Sequence, residues 1–222
     1  MRQSIAVLLA GLLAVLPASA IGEDLSGTRL LLVSARQDFQ SLLPQDAALL
    51  HNPGTIEKFL AALDKAPPDW AVLHVAHDDQ HSERLFALNR ERDRLRAGRP
   101  ALTQRITFLW EGVLSAYVPD KGGFLVAIGP EVISTRWGLV RFKPENLPAE
   151  LVAVPPPHLK ESLRARAARG ESITVIVAMT GRLVPDESLI YDFAHEDPGQ
   201  GMVMPMVRVE RLDYFIGRTS TR

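Results

Sequence analysis

The feature that most constrains the fold is a series of strand-like segments in the second half of the chain. Apolar and polar side chains alternate along Ile106–Val118, and this alternation with period two predicts a half-buried β-strand. Similar segments follow, and one helical segment at residues 158–169 interrupts them. The predicted strands after the first are residues 124–128, 137–142, 172–180 and 206–216. The order strand, strand, strand, helix, strand, strand therefore predicts a small β-rich domain.

This order of elements resembles the OB-fold, a five-stranded Greek-key barrel. The first predicted strand is long and contains Gly112, where we expect a bulge or bend. The resemblance covers residues 105–216 and lies in the order of elements. It implies an α+β fold, in which an N-terminal helical region precedes a small five-stranded OB-like β-barrel with a helix between strands 3 and 4. A small open α+β sheet built from the same elements is the alternative.

Residues 21–100 predict a helical N-terminal region. Residues 38–50 and 55–65 look helical, and the second segment carries apolar residues at helical spacing. Asp69 is a suitable N-cap for a helix that begins at Trp70. We therefore divide the chain into a signal segment at residues 1–20, a helical region at 21–100 and an OB-like β-domain at 101–222.

The first 20 residues have the composition of a secretory signal peptide. Arg2 precedes an apolar run at residues 5–16, Pro17 ends the run, and residues 18–20 read Ala-Ser-Ala. A short positive start, an apolar core and small residues at the cleavage site are the three parts of such a signal. The apolar run is also too short for a typical membrane span. We therefore expect a periplasmic or secreted protein.

The composition disfavours several classes of protein. The chain has no cysteine, so we expect no disulfides and no lipid anchor attached through a cysteine. Its formal net charge is −1 at neutral pH. Nucleic-acid-binding proteins and polybasic membrane-surface proteins carry a marked positive charge. We therefore expect no nucleic-acid partner and no stable membrane anchor.

Three of the six histidines lie within eight residues of one another, at His74, His77 and His81. On one continuous helix these three side chains would share a face, with Asp78 beside them. Imidazole and carboxylate groups are ligands for zinc or copper, so this cluster predicts a metal site. In the alternative interpretation, the helix breaks near residues 78–81 and the histidines lie on a polar surface.

Two further sets of residues are candidate sites. Asp192, His195 and Glu196 belong to a polar segment that ends at Asp197, and such groups serve acid–base chemistry. The second set consists of aromatic and basic residues on the predicted barrel strands, which can stack on or bind a ligand. The residues of this set are Trp110, Tyr117, Trp137 and Arg141. In the alternative interpretation, the aromatic residues fill the core.

The function that these observations favour is that of a soluble exported binding or accessory protein. We expect its partner to be an envelope protein or a small ligand, and we assign it no catalytic residue. One alternative is a periplasmic metal-handling protein that uses the histidine cluster for zinc or copper. The other is a hydrolase or lyase that uses the loop from Asp192 to Asp197.

Overall fold

A large mixed β-sheet is the main feature of the fold. The structure is a computed structural model that describes residues 29–33, 39–74, 80–194 and 200–217. Within these ranges the chain forms eleven strands and four helices. The strands are β1 (Leu30–Val33), β2 (Ala48–Leu50), β3 (Ile106–Val118), β4 (Gly123–Ile128), β5 (Ile133–Thr135), β6 (Gly138–Val140), β7 (Lys143–Glu145), β8 (Val152–Ala153), β9 (Ile173–Leu183), β10 (Leu189–Phe193) and β11 (Gly201–Gly217). The helices are α1 (Pro53–Leu63), α2 (Trp70–Leu73), α3 (His81–Arg96) and α4 (Pro157–Ala168).

The long strands β3, β9 and β11 form the antiparallel centre of the sheet. The main path through the sheet runs β5-β6-β11-β9-β3-β4-β8. The 17-residue strand β11 also pairs with β1 and β7 in parallel and with β10 in antiparallel orientation, while β2 pairs with β3. One strand therefore organises elements from both halves of the chain.

The predicted five-stranded OB-like barrel is wrong. The sheet has eleven strands and is not closed into a barrel. Among the described residues, the segments that contain β1 and β8 are joined by one isolated bridge, between Arg29 just before β1 and Val154 just after β8. The prediction failed because periodicity identifies strands but carries no information about their partners. Strands β5, β7 and β8 lie outside the predicted segments and have only two or three residues, too few for an alternating pattern to be recognised, whereas β6 lies within the strand predicted at residues 137–142.

A separate N-terminal helical region is not shown either. Strands β1 and β2 come from that part of the chain and belong to the same sheet as the C-terminal strands. Residues 38–50, predicted as a helix, contain a short 3₁₀ turn at Phe39–Leu42 and strand β2. The helix predicted over residues 55–65 is confirmed as α1.

Other local predictions agree with the structure. Strands β3, β4, β9 and β11 and helix α4 lie where the sequence pattern places them. The parity of apolar residues changes within β11, and its register against β9 shifts between Val209 and Arg211. The break expected at Gly112 is wrong, because the register of β3 against β4 shifts between Leu114 and Tyr117.

Helix α1 shows how a helix is fixed to the sheet. Asn52 caps its first turn, and its Oδ1 atom accepts a 3.0 Å hydrogen bond from the backbone N–H of Thr55. The apolar stripe of α1 is buried in the same core as the sheet: Ile56, Phe59, Leu60 and Leu63. Each such side chain contributes about 1.5–3 kcal/mol when it is buried. None of the helices within the described ranges is both long and apolar enough to cross a membrane.

Candidate functional site

A buried polar cluster lies where α1, α3 and β10 meet, and we call it the Asp64 cluster. It consists of Asp64, Arg92, Arg96 and Tyr191. Asp64 is the C-cap of α1, the two arginines lie one turn apart on α3, and Tyr191 is the central residue of β10. Arg96 is 0% exposed and Asp64 is 4% exposed. Two opposite charges are therefore withdrawn from water at this junction.

The carboxylate of Asp64 accepts hydrogen bonds from the other three members of the cluster. Nε of Arg96 lies 3.1 Å from both Asp64 oxygens, and Nη2 of Arg96 lies 2.9 Å from Oδ2. The Tyr191 hydroxyl also donates to Oδ2, and Nη1 of Arg92 lies 3.3 Å from the same atom. Buried charges are tolerated when they are paired and hydrogen-bonded in this way.

The cluster is continuous with a set of bonds that attach α3 to β10. Asn89 donates to the backbone oxygen of Tyr191 at 2.9 Å and accepts from its backbone N–H at 2.8 Å. Nη1 of Arg96 donates to the backbone oxygen of Leu189 at 3.3 Å and to Asp93 at 2.6 Å. The Asn89 side-chain amide thus makes the two backbone hydrogen bonds to Tyr191 that a residue of a neighbouring strand would make.

The electrostatic surroundings keep the phenol of Tyr191 protonated. Burial raises its pKa well above the usual range, and the negative charge of Asp64 acts in the same direction. The guanidinium carbons of Arg92 and Arg96, at 4.9 and 5.4 Å from the ring centre, act against this shift without cancelling it. Tyr191 is therefore a hydrogen-bond donor at neutral pH and not a base.

The raised pKa predicts a loss of stability in alkali that depends on Tyr191. Above pH about 10 the unfolded chain ionises this phenol while the folded chain does not, so stability falls as pH rises, by up to about 1.4 kcal/mol per pH unit. Below that pH the contribution is fully present. We expect the Tyr191→Phe variant to lack this part of the alkaline loss. Urea unfolding of both proteins between pH 8 and pH 11.5 measures it, and parallel curves would contradict the prediction.

A cleft of about 510 Å³ opens beside the Asp64 cluster, and we call it the α1–α3 cleft. One wall is the end of α1 and the residues that follow it, and the other wall is one face of α3. Side chains three and four positions apart share a helix face, which is why the α3 residues line up along the cleft. The lining residues are Asp64, Lys65, Ala66, Leu88, Glu91, Arg92, Leu95 and Arg99.

Arg92 belongs to the Asp64 cluster and also lines the α1–α3 cleft. Of its three guanidinium nitrogens, only Nη1 makes hydrogen bonds with the described residues. Its Nη1 atom bonds to Asp64, to the Tyr191 hydroxyl at 3.2 Å and to the backbone oxygen of Ala66 at 2.8 Å. Its Nε and Nη2 atoms make no hydrogen bond with any residue in the described part of the chain. The Arg92 side chain is 15% exposed, and Nε and Nη2 are not among the buried unpartnered atoms of the described residues, so both donors retain contact with solvent.

The histidines of the predicted metal site are only partly placed. His74 follows α2, His81 begins α3, and their rings lie 5.1 and 6.1 Å from the ring of Phe193. His77 and Asp78 lie outside the described residues. Residues 70–96 do not form one helix, because α2 ends at Leu73 and α3 begins at His81, and the structure brings His74 and His81 to the same aromatic ring. No metal-binding group of three or more His, Cys, Asp or Glu occurs among the described residues, and the zinc or copper site stays a prediction.

The predicted acid–base loop is also only partly placed. Asp192 belongs to strand β10, and its Oδ1 atom accepts a 2.8 Å hydrogen bond from the backbone N–H of Phe193. His195, Glu196 and Asp197 lie outside the described residues. The first residues of this segment therefore belong to strand β10. The hydrolase or lyase alternative stays a prediction.

The aromatic residues of the predicted ligand site do not share an open face. Trp110 and Trp137 are core residues, 7% and 1% exposed. Tyr117 is half-buried, with Lys160 and Arg164 at 5.3 and 4.8 Å from its ring centre. Arg141 is exposed. The positions of the two tryptophans agree with the alternative interpretation, in which the aromatic residues fill the core.

No family model, curated protein or solved structure matches this chain. The residues of the Asp64 cluster and the α1–α3 cleft are therefore the basis for a functional conclusion.

Proposed function

We propose that the chain is an exported, periplasmic or secreted binding or accessory protein that holds a small ligand in the α1–α3 cleft. The observation that carries this proposal is the guanidinium of Arg92, which is fixed on one side by the Asp64 cluster and has unused donors on the other. The composition of residues 1–20 supports export.

The lining of the cleft favours binding without chemistry. Its polar side chains are carboxylates, arginines and one lysine, and no serine, threonine or histidine is among them. The Asp64 carboxylate is occupied by three donors, and Tyr191 holds its proton. A general acid or base needs a pKa near the working pH and a free position beside the reacting group. Asp64 lacks the free position, and the Tyr191 phenol, whose pKa is raised by burial, keeps its proton.

The Arg92 side chain is already held in one orientation by hydrogen bonds within the protein. Nη1 of Arg92 makes three hydrogen bonds with groups that are themselves held by α1 and β10. A side chain that is already ordered loses less conformational entropy on binding, which favours affinity. Leu95, 61% exposed, offers apolar surface beside it that a ligand would cover, at about 25 cal/mol per Å².

Methyl NMR titration tests the proposed function. We expect saturable shifts of the Leu88 and Leu95 methyl signals when at least one of hexanol, hexanoate, hexylamine or hexyl phosphate is added. Val132 is exposed and does not line the cleft, so its methyl signals serve as the internal control. If none of the four compounds shifts the leucine signals, or if Val132 shifts equally, the proposal is wrong.

A further inference from the structure

We infer that the ligand of the α1–α3 cleft is a monocarboxylate with an apolar body, an inference that rests on the binding function proposed above. Three features of the cleft support it: the free edge of Arg92, the balance of charge around it, and the apolar side chains on the same helix face.

The free edge of Arg92 has the geometry that carboxylates prefer. Nε and Nη2 of an arginine present parallel N–H groups that match the two oxygens of a carboxylate. Within the same cluster, Arg96 uses this edge, and its Nε and Nη2 atoms hold the Asp64 carboxylate at 2.9–3.1 Å. Arg92 presents the same pair of atoms with no acceptor among the described residues. A ligand carboxylate on Arg92 would repeat the Arg96–Asp64 arrangement one helical turn away.

The charges around the cleft fit a single negative charge. Within and next to the cluster, Asp64 and Asp93 balance Arg92 and Arg96. The remaining charged lining residues are Lys65, Arg99 and Glu91, which leaves one excess positive charge. A monocarboxylate neutralises this excess. A phosphate monoester carries about −1.5 to −2 at neutral pH, so it would place uncompensated negative charge near Asp64 and Glu91.

The rest of the cleft fits an apolar body. Leu88 and Leu95 lie on the same face of α3 as Arg92, four positions before and three positions after it, and Ala66 lies across the cleft. A volume of about 510 Å³ is within the range of small-molecule sites, about 300–1,000 Å³. A carboxylate on Arg92 with a short aliphatic or aromatic chain against the leucines would use both kinds of surface.

The test compares ligands that differ only in the head group. The titrations follow the leucine methyl signals together with the Nε–H signal of Arg92. We expect hexanoate to bind at least about tenfold more tightly than hexanol and more tightly than hexyl phosphate, because only hexanoate forms a charge-matched bidentate pair. The Arg92 Nε–H signal should move with hexanoate and not with hexanol.

Two variants of Arg92 and one matched control complete the experiment. Arg92→Met should lower the hexanoate affinity at least about tenfold and leave hexanol binding in place, which also shows that the cleft is intact. Arg92→Lys should recover only part of the affinity, since an ammonium group lacks the planar fork. Arg94 is exposed on the same helix, and Arg94→Met should leave the hexanoate affinity unchanged.

The outcomes separate this inference from the proposed function. Leucine shifts with hexanol as large and as tight as those with hexanoate would overturn the carboxylate inference and leave the binding function standing. The same holds if Arg92→Met leaves hexanoate affinity unchanged. If no compound shifts the leucine signals, the binding function fails, and the carboxylate inference fails with it.

Discussion

Replacing Gly201 with alanine is expected to lower the free energy of unfolding by about 3 kcal/mol. A Cβ atom at this position would lie 1.9 Å from Cδ2 and Cε2 of the Trp70 ring, so the indole must move. Movement is costly because Nε1 of Trp70 donates a 2.9 Å hydrogen bond to the backbone oxygen of Trp137. The ring also packs against Tyr191 and Phe193, with ring centres 6.0 and 5.8 Å away.

Urea unfolding of four variants measures this effect and assigns it to the Trp70 contact. Gly129→Ala is the matched control, because a Cβ there meets no atom within 4 Å, and we expect a change within about 0.5 kcal/mol. Trp70→Leu removes the ring, and adding Gly201→Ala to that variant should cost less than about 1 kcal/mol more. An equal cost of Gly201→Ala with and without the Trp70 ring would show that the indole contact is not the cause.

The Trp70 contact illustrates which parts of the fold a sequence pattern can predict. The N-cap at Asp69 is local, and the structure confirms it with a 3.2 Å hydrogen bond from the backbone N–H of Val72 to Asp69 Oδ1. The glycine surface beneath the ring exists only because β6 pairs with β11, which brings Gly138 beside Gly201. No local periodicity encodes that pairing.

The same distinction explains why the strands were predicted and the topology was not. Strands β3, β9 and β11 have 11 to 17 residues, and long alternating segments are recognisable in a sequence. Pairing of β1 with β11 and of β2 with β3 joins segments that are far apart in the chain. The barrel prediction was based on the order of elements within residues 105–216, and β1 and β2 lie outside that range.

The Asp64 cluster was missed because its arginines look like part of a solvated helix face. Basic residues in the last turns of a helix suit the helix dipole, and arginines are mostly exposed in folded proteins. A signal was nevertheless present. Arg92 and Arg96 continue the line of Leu85 and Leu88 at spacings of three and four, so they lie on the face that packs inward. Charged residues on such a face indicate a buried partner, and here the partner is Asp64.

Replacing Arg96 with methionine is expected to lower the free energy of unfolding by about 3–5 kcal/mol, the largest single effect in this site. The change keeps an unbranched apolar side chain in place of the guanidinium. It leaves the Asp64 carboxylate, 4% exposed, with only Tyr191 and the more distant Arg92 as donors. It also removes the bonds from Arg96 to Asp93 and to the backbone of Leu189.

A double-mutant cycle separates the cost of an unpaired charge from the cost of lost packing. We expect the combination of Arg96→Met with Asp64→Leu to cost at least about 2 kcal/mol less than the sum of the single changes, because neither charge then remains buried alone. Arg94→Met on the exposed side of α3 should change stability by less than about 0.5 kcal/mol. Strictly additive free energies would mean that Arg96 stabilises the junction through packing and that its charge is not required by Asp64.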